Sequence, residues 1–143
     1  MYKLLAISLM GFILFGHIPA TFAACNVVDP SLQGSYEGGC SKEGKADGYG
    51  IASGTDRYEG DFALGRPHGK GSYIWADGER YDGEFLNGRM TGKGSYKFKN
   101  GERYEGEFVD GMRSGRGTQY SDSGESETGE WRNNKLVKKE DAN

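Results

Sequence analysis

Few side chains able to do chemistry occur in this 143-residue chain, and they are widely spaced. Of the two histidines, His17 lies in an apolar amino-terminal stretch, and His68 stands in an Arg66-Pro67-His68 loop that reads as a satisfied or solvated position. No cysteine–histidine spacing suggests zinc. The run Gly69-Lys70-Gly71 is too short for a phosphate loop and opens no helix. Pairs of acids, Glu59 with Asp61, Asp82 with Glu84, and Glu105 with Glu107, have the composition of a glycosidase site. Their recurrence at a fixed period makes them outward strand positions instead. The sequence therefore implies no catalytic residue, no cofactor and no metal.

Two cysteines remain, Cys25 and Cys40. An even count in an exported chain favours a disulfide, closing a loop of about 15 residues and contributing about 3 kcal/mol by chain-entropy accounting. Residues 1–24 motivate the export reading. Lys3 precedes an apolar run from Leu4 to Phe15, followed by Pro19 and small residues up to Ala24, the layout of a secretory signal peptide. A retained membrane anchor needs about 17–25 apolar residues. Two processing routes stay open: cleavage after Ala23, or lipidation of Cys25 in the lipobox-like run Phe22-Ala23-Ala24-Cys25. Both place the product outside the cytoplasm, as a periplasmic, secreted or envelope-anchored protein. Membrane attachment follows only from lipidation, and in that case Cys40 merely fills a small apolar position.

The remaining chemistry is aromatic and glycine-rich. Glycine accounts for 25 residues and proline for 3, without the triplet period of collagen. Tyr58, Gly60, Phe62, Gly65, Gly69, Gly71, Tyr73, Trp75 and Gly78 recur 23 residues later as Tyr81, Gly83, Phe85, Gly88, Gly92, Gly94, Tyr96, Phe98 and Gly101. They recur again from Tyr104 to Gly124, with Gln119 in the second tyrosine position. A degenerate copy occupies 36–57, good copies 58–80, 81–103 and 104–126, and a partial copy 127–132. Residues 25–35 form an amino-terminal segment, and 133–143 read as a charged, flexible tail.

The motifs Tyr104-Glu105-Gly106-Glu107-Phe108 and Gly92-Lys93-Gly94-Ser95-Tyr96 resemble the MORN repeat, over about residues 36 to 132. The resemblance implies an all-β fold, an elongated single-layer antiparallel meander of tandem hairpins, and associations with membranes, lipids, self-association and scaffolding. Alternation within a copy supports the same fold, because Tyr58, Gly60 and Phe62 fall on one face of a strand and Glu59 and Asp61 on the other. Asn87-Gly88 and Asp110-Gly111 predict tight turns inside a repeat, and Asp77-Gly78 and Asn100-Gly101 turns between repeats. Centring the turn on Leu64-Gly65 sets Tyr58 opposite Gly71, Gly60 opposite Gly69, and Glu59 opposite Lys70. The odd period requires one odd connection, expected as a three-residue loop with a glycine bulge at Asp77-Gly78.

Net charge is −3, with both signs interleaved, so the footprint of a nucleic-acid binder is missing. A single layer leaves one face uncovered, and Tyr58, Tyr73, Trp75, Tyr81, Tyr96, Phe98 and Tyr104 are expected to form a partner-binding ribbon on it. Phe62, Phe85 and Phe108 take a structural role near the tight turns. The favoured reading is an exported, non-enzymatic interaction or scaffold module that engages a protein partner or a second copy of itself. A binder of envelope glycans or lipids is the alternative, and an enzyme the third.

Overall fold

A computed structural model describes residues 25–140; the leader reading of 1–24 lies outside them. Ten strands form one open sheet whose spatial order equals the chain order: β1 (Ser35–Cys40), β2 (Ala46–Ser53), β3 (Arg57–Ala63), β4 (Arg66–Ile74), β5 (Arg80–Leu86), β6 (Arg89–Lys97), β7 (Arg103–Val109), β8 (Met112–Tyr120), β9 (Ser126–Arg132) and β10 (Lys135–Lys139). All neighbours are antiparallel, so the expected all-β, single-layer meander is what forms.

Turn chemistry sets the hairpins. Leu64-Gly65, Asn87-Gly88, Asp110-Gly111 and Asn133-Asn134 all have positive φ at both central residues, the type I′ geometry whose twist matches that of paired strands. Each turn is also tied to an earlier hairpin through its second N–H. Gly65 donates to Ala46 O, Gly88 to Pro67 O, Gly111 to Met90 O and Asn134 to Arg113 O, at 2.8 to 3.0 Å. Between repeats, Trp75 N donates to Glu79 O and Gly78 N to Trp75 O. This is the expected three-residue loop, with Gly78 at φ 91°.

Inside the hairpins the register differs from expectation by two residues. Tyr58 faces Tyr73 and Gly60 faces Gly71, and the ladder then jumps to Phe62 opposite Pro67. A bulge lets residues 68–70 oppose Asp61 alone. Gly69 takes φ 59° there, and the Asp61 carboxylate accepts from Lys70 N at 3.3 Å. Glu84 repeats the contact with Lys93 N. Two absorbed residues leave the alternation intact, so the pattern of inward and outward side chains gives no sign of the slip. The charge pairing changes accordingly. Glu59, Asp82 and Glu105 face Ser72, Ser95 and Thr118, and their ion pairs run along their own strands to Arg57, Arg80 and Arg103.

The shifted register aligns glycines across the whole sheet. Gly38, Gly50, Gly60, Gly71, Gly83, Gly94, Gly106, Gly117 and Gly129 pair in succession from β1 to β9. Tyrosine rings lie on this bare backbone. A Cβ on Gly71 would sit 2.3 Å from the Tyr58 hydroxyl, and one on Gly94 2.4 Å from the Tyr81 ring. The hydroxyls donate to main-chain carbonyls, Tyr58 to Asp61 O at 2.8 Å and Tyr81 to Glu84 O at 3.1 Å.

Edge-to-face contacts then link the rings of alternate strands. The order is Tyr36, Phe62, Tyr58, Phe85, Tyr81, Phe108, Tyr104 and Trp131, with centroids 4.9 to 5.3 Å apart. The first end of this ladder is covered by residues 25–34. Val27 and Leu32 are buried there, a 3-10 turn spans Pro30–Leu32, and a Cys25–Cys40 disulfide joins the segment to β1. At the other end, residues 135–139 are a paired strand and not part of a loose tail. Asn133-Asn134 supplies the turn that the missing glycine obscured, because asparagine tolerates the left-handed region.

The glycine row yields a direct test. Gly94→Ala is expected to lower unfolding stability by about 1–3 kcal/mol through overpacking against Tyr81. Ser95→Ala, on the opposite face, should stay within about 0.5 kcal/mol of the parent. Urea unfolding followed by circular dichroism measures both.

Candidate functional site

The ladder decides which of the seven predicted contact residues are accessible. Tyr58, Tyr81 and Tyr104 have no exposed surface, and Tyr73 retains 7%. These four are therefore core residues, a correction to the expected ribbon. For Tyr58, Tyr81 and Tyr104 the cause is mutual shielding: glycine lies beneath each ring and aromatic edges close its sides. Trp75, Tyr96 and Phe98 remain half-buried, packed against the core cluster without entering it.

These three rings continue a second row from Tyr73. Centroids are 4.6 Å apart for Tyr73–Trp75, 5.3 Å for Trp75–Tyr96 and 4.7 Å for Tyr96–Phe98, with planes tilted 37–45°. Carboxylates 17 residues earlier fix the row. Tyr73 donates to Asp56 Oδ2 at 2.8 Å, and Tyr96 donates to Glu79 Oε2. The second oxygens accept from the next loop, Asp56 Oδ1 from Ala76 N and Glu79 Oε1 from Lys99 N. Burial and the adjacent carboxylates drive both phenols above the ordinary tyrosine range. Asp56, Glu79 and Glu102 recur at the repeat period, a signal present in the sequence but overshadowed by the acids on the strands.

The third repeat departs from this scheme at two positions. Where the others carry tyrosine it has Gln119, whose amide donates to Glu102 Oε2 at 3.2 Å. In the column opposite the ladder, Pro67 faces Phe62, Met90 faces Phe85 and Leu136 faces Trp131, whereas Arg113 faces Phe108. The Arg113 guanidinium lies 4.6 Å from the Trp131 centroid, 5.5 Å from Phe98 and 5.6 Å from Tyr104. It donates to Gln119 Oε1 at 2.6 Å and to Asn134 O at 2.8 Å. Desolvation pulls its pKa below the ordinary arginine value, yet a guanidinium stays cationic in proteins. Beside it lies an open cavity of about 280 Å³ lined by Met90, Tyr96, Phe98, Phe108, Gly111, Arg113 and Asn134.

Other predicted chemistry is dispersed. The His68 carbonyl accepts from Tyr58 at 3.3 Å, and its buried Nδ1 has no partner. Of the outward acids, Glu59, Asp82 and Glu105 are engaged by arginines and Asp61 and Glu84 by the bulges. Among the described residues, no group of three or more His, Cys, Asp or Glu side chains could hold a metal ion. Cys25 and Cys40 serve the amino-terminal cover rather than the ring row.

Comparison with known proteins adds a family assignment. The MORN repeat model matches residues 58–80, 81–103, 104–126 and 128–137, so its last match extends into β10. No curated protein matches the chain.

Phenol ionisation tests the site's burial. Tyr104 is pushed up to about 12, chiefly by burial, and Tyr58, Tyr73, Tyr81 and Tyr96 are also raised. A raised folded-state pKa contributes stability that is whole below the unfolded value near 10 and is lost as pH climbs through the folded value. Tyrosinate absorbance from the buried phenols should therefore rise only together with the loss of β-sheet circular dichroism, above about pH 10. A single stage at ordinary tyrosine pKa with the sheet intact contradicts the burial.

Proposed function

Because the chain belongs to the MORN repeat family, whose repeats suggest an interaction module, we propose that it is a non-enzymatic scaffold protein of the cell envelope. It engages a protein partner or a second copy of itself through Trp75, Tyr96 and Phe98. One observation carries this reading. Of the seven expected contact residues Tyr58, Tyr73, Tyr81 and Tyr104 are buried, while these three stay half-exposed as a continuous row anchored by Glu79 and its neighbours. Aromatic side chains with a fixed geometry lose little entropy on contact and are enriched among residues that dominate binding. Export is supported by the leader-like layout of residues 1–24 and by the Cys25–Cys40 pair, which an oxidising compartment favours. Both oxygens of Asp56 and of Glu79 already accept hydrogen bonds from the protein. That weighs against a glycan, whose hydroxyls seek free acceptors beside a stacking platform.

Replacing Trp75 and Phe98 together by serine should weaken association about 30-fold or more, with the β-sheet circular dichroism unchanged. Envelope pull-down and sedimentation measure capture and self-association; undiminished association in the folded variant refutes the row as the contact. For the amino terminus, intact mass of the product isolated from the envelope should be two hydrogens below that of the dithiol, with no acyl group. An acyl mass shows lipidation at Cys25 instead.

A further inference from the structure

The repeats act as controls for one another, and Arg113 is the position where that comparison fails. Its column demands an apolar filler, supplied as Pro67, Met90 and Leu136 in the other hairpins. A guanidinium set there loses water and must recover the cost from specific partners. Its main-chain N–H is bonded to Asn134 Oδ1, and only two of the five side-chain N–H groups have protein acceptors, both neutral oxygens. Among the described residues no carboxylate forms an ion pair with it, although Arg57, Arg80, Arg89, Arg103 and Arg116 all have one. Glu102 is joined to it by hydrogen bonds only through Gln119, and acts on it otherwise by charge alone, without an ion-pair contact.

This half-buried cation opens on a cavity whose other walls are Met90, Tyr96, Phe98 and Phe108. The volume, about 280 Å³, lies just below the usual range of ligand pockets, about 300–1,000 Å³. From these features we propose that the cavity is a binding site for a small monocarboxylate with an apolar tail. The carboxylate receives the unused guanidinium donors as charge-assisted hydrogen bonds. The tail lies against the methionine and the aromatic rings. Gln119 and Asn134 hold the guanidinium in its plane, which point-like lysine does not reproduce. The site shares Tyr96 and Phe98 with the proposed partner row, but it needs neither a second chain nor Trp75, so octanoate binding by the isolated protein is read separately from association.

Octanoate, 1-octanol and octylammonium serve as probes in a chemical-shift titration of the folded protein. Octanoate should saturate with shifts clustered at Met90, Tyr96, Phe98, Arg113 and Asn134. The alcohol and the ammonium ion should bind about tenfold more weakly or worse, because they forgo the charged hydrogen bonds. Arg113→Met installs the residue of the preceding repeat and should keep the fold while reducing octanoate affinity about tenfold or more. Arg113→Leu, which copies Leu136 of the last hairpin, gives a second variant should the first unfold. Equal binding of octanoate and octanol, no saturable binding at millimolar octanoate, or undiminished affinity in the folded variants overturns the proposal.

Discussion

A tyrosine ring resting on two facing glycines is the contact on which the rest of this sheet depends. It solves the difficulty of a single layer, which has no second element to cover its apolar face. Because the glycines have no Cβ, the ring descends onto the backbone itself: a Cβ added to Gly60 or Gly71 would lie only 2.3 to 2.7 Å from atoms of Tyr58. A phenylalanine edge then closes each side. Such edge-to-face pairs contribute about 0.5–1.5 kcal/mol each beyond their buried area. Their geometry also spaces the strands that carry them. The core of this protein is thus a line rather than a volume.

Labour divides between alternate strands. β1, β3, β5, β7 and β9 carry the ladder rings, and β2, β4, β6 and β8 supply the facing glycines and the bulges. The acids follow that division. Those beside the glycine bulges satisfy main-chain N–H groups, and those at the inter-repeat loops orient the second ring row. Arg113 and Gln119 occur in the same repeat and contact each other, so the β7–β8 hairpin is altered as a pair of positions and not at random.

The turn types and the odd loop were legible because each is a local property of three to five residues, and the period because the same residue types return 23 positions later. The register was not, since the bulge at Gly69 absorbs an even number of residues and leaves the alternation undisturbed. The fate of the aromatic face was half legible. Alternation assigns Tyr58, Tyr81 and Tyr104 to one face, but it says nothing of how deeply a ring sinks when its neighbours are glycines. β10 was missed because Asn133-Asn134 lacks the glycine of the other turns and the lysines that follow look like a solvated end. Arg113 could have been found by aligning Pro67, Met90, Arg113 and Leu136, a column the glycine and tyrosine matches overshadowed.

Spatial order that copies chain order also governs assembly. Every strand meets only the strands made just before and just after it, so each closure joins segments a few residues apart and costs little loop entropy. A chain threaded from one end can fold as it appears, hairpin after hairpin, without waiting for its last residue. The disulfide and the cover of residues 25–34 close the amino-terminal end of the described sheet. Growth by a further 23-residue unit would then disturb only the trailing edge, and an array of this kind can change length during evolution while the seed from which it zips stays the same.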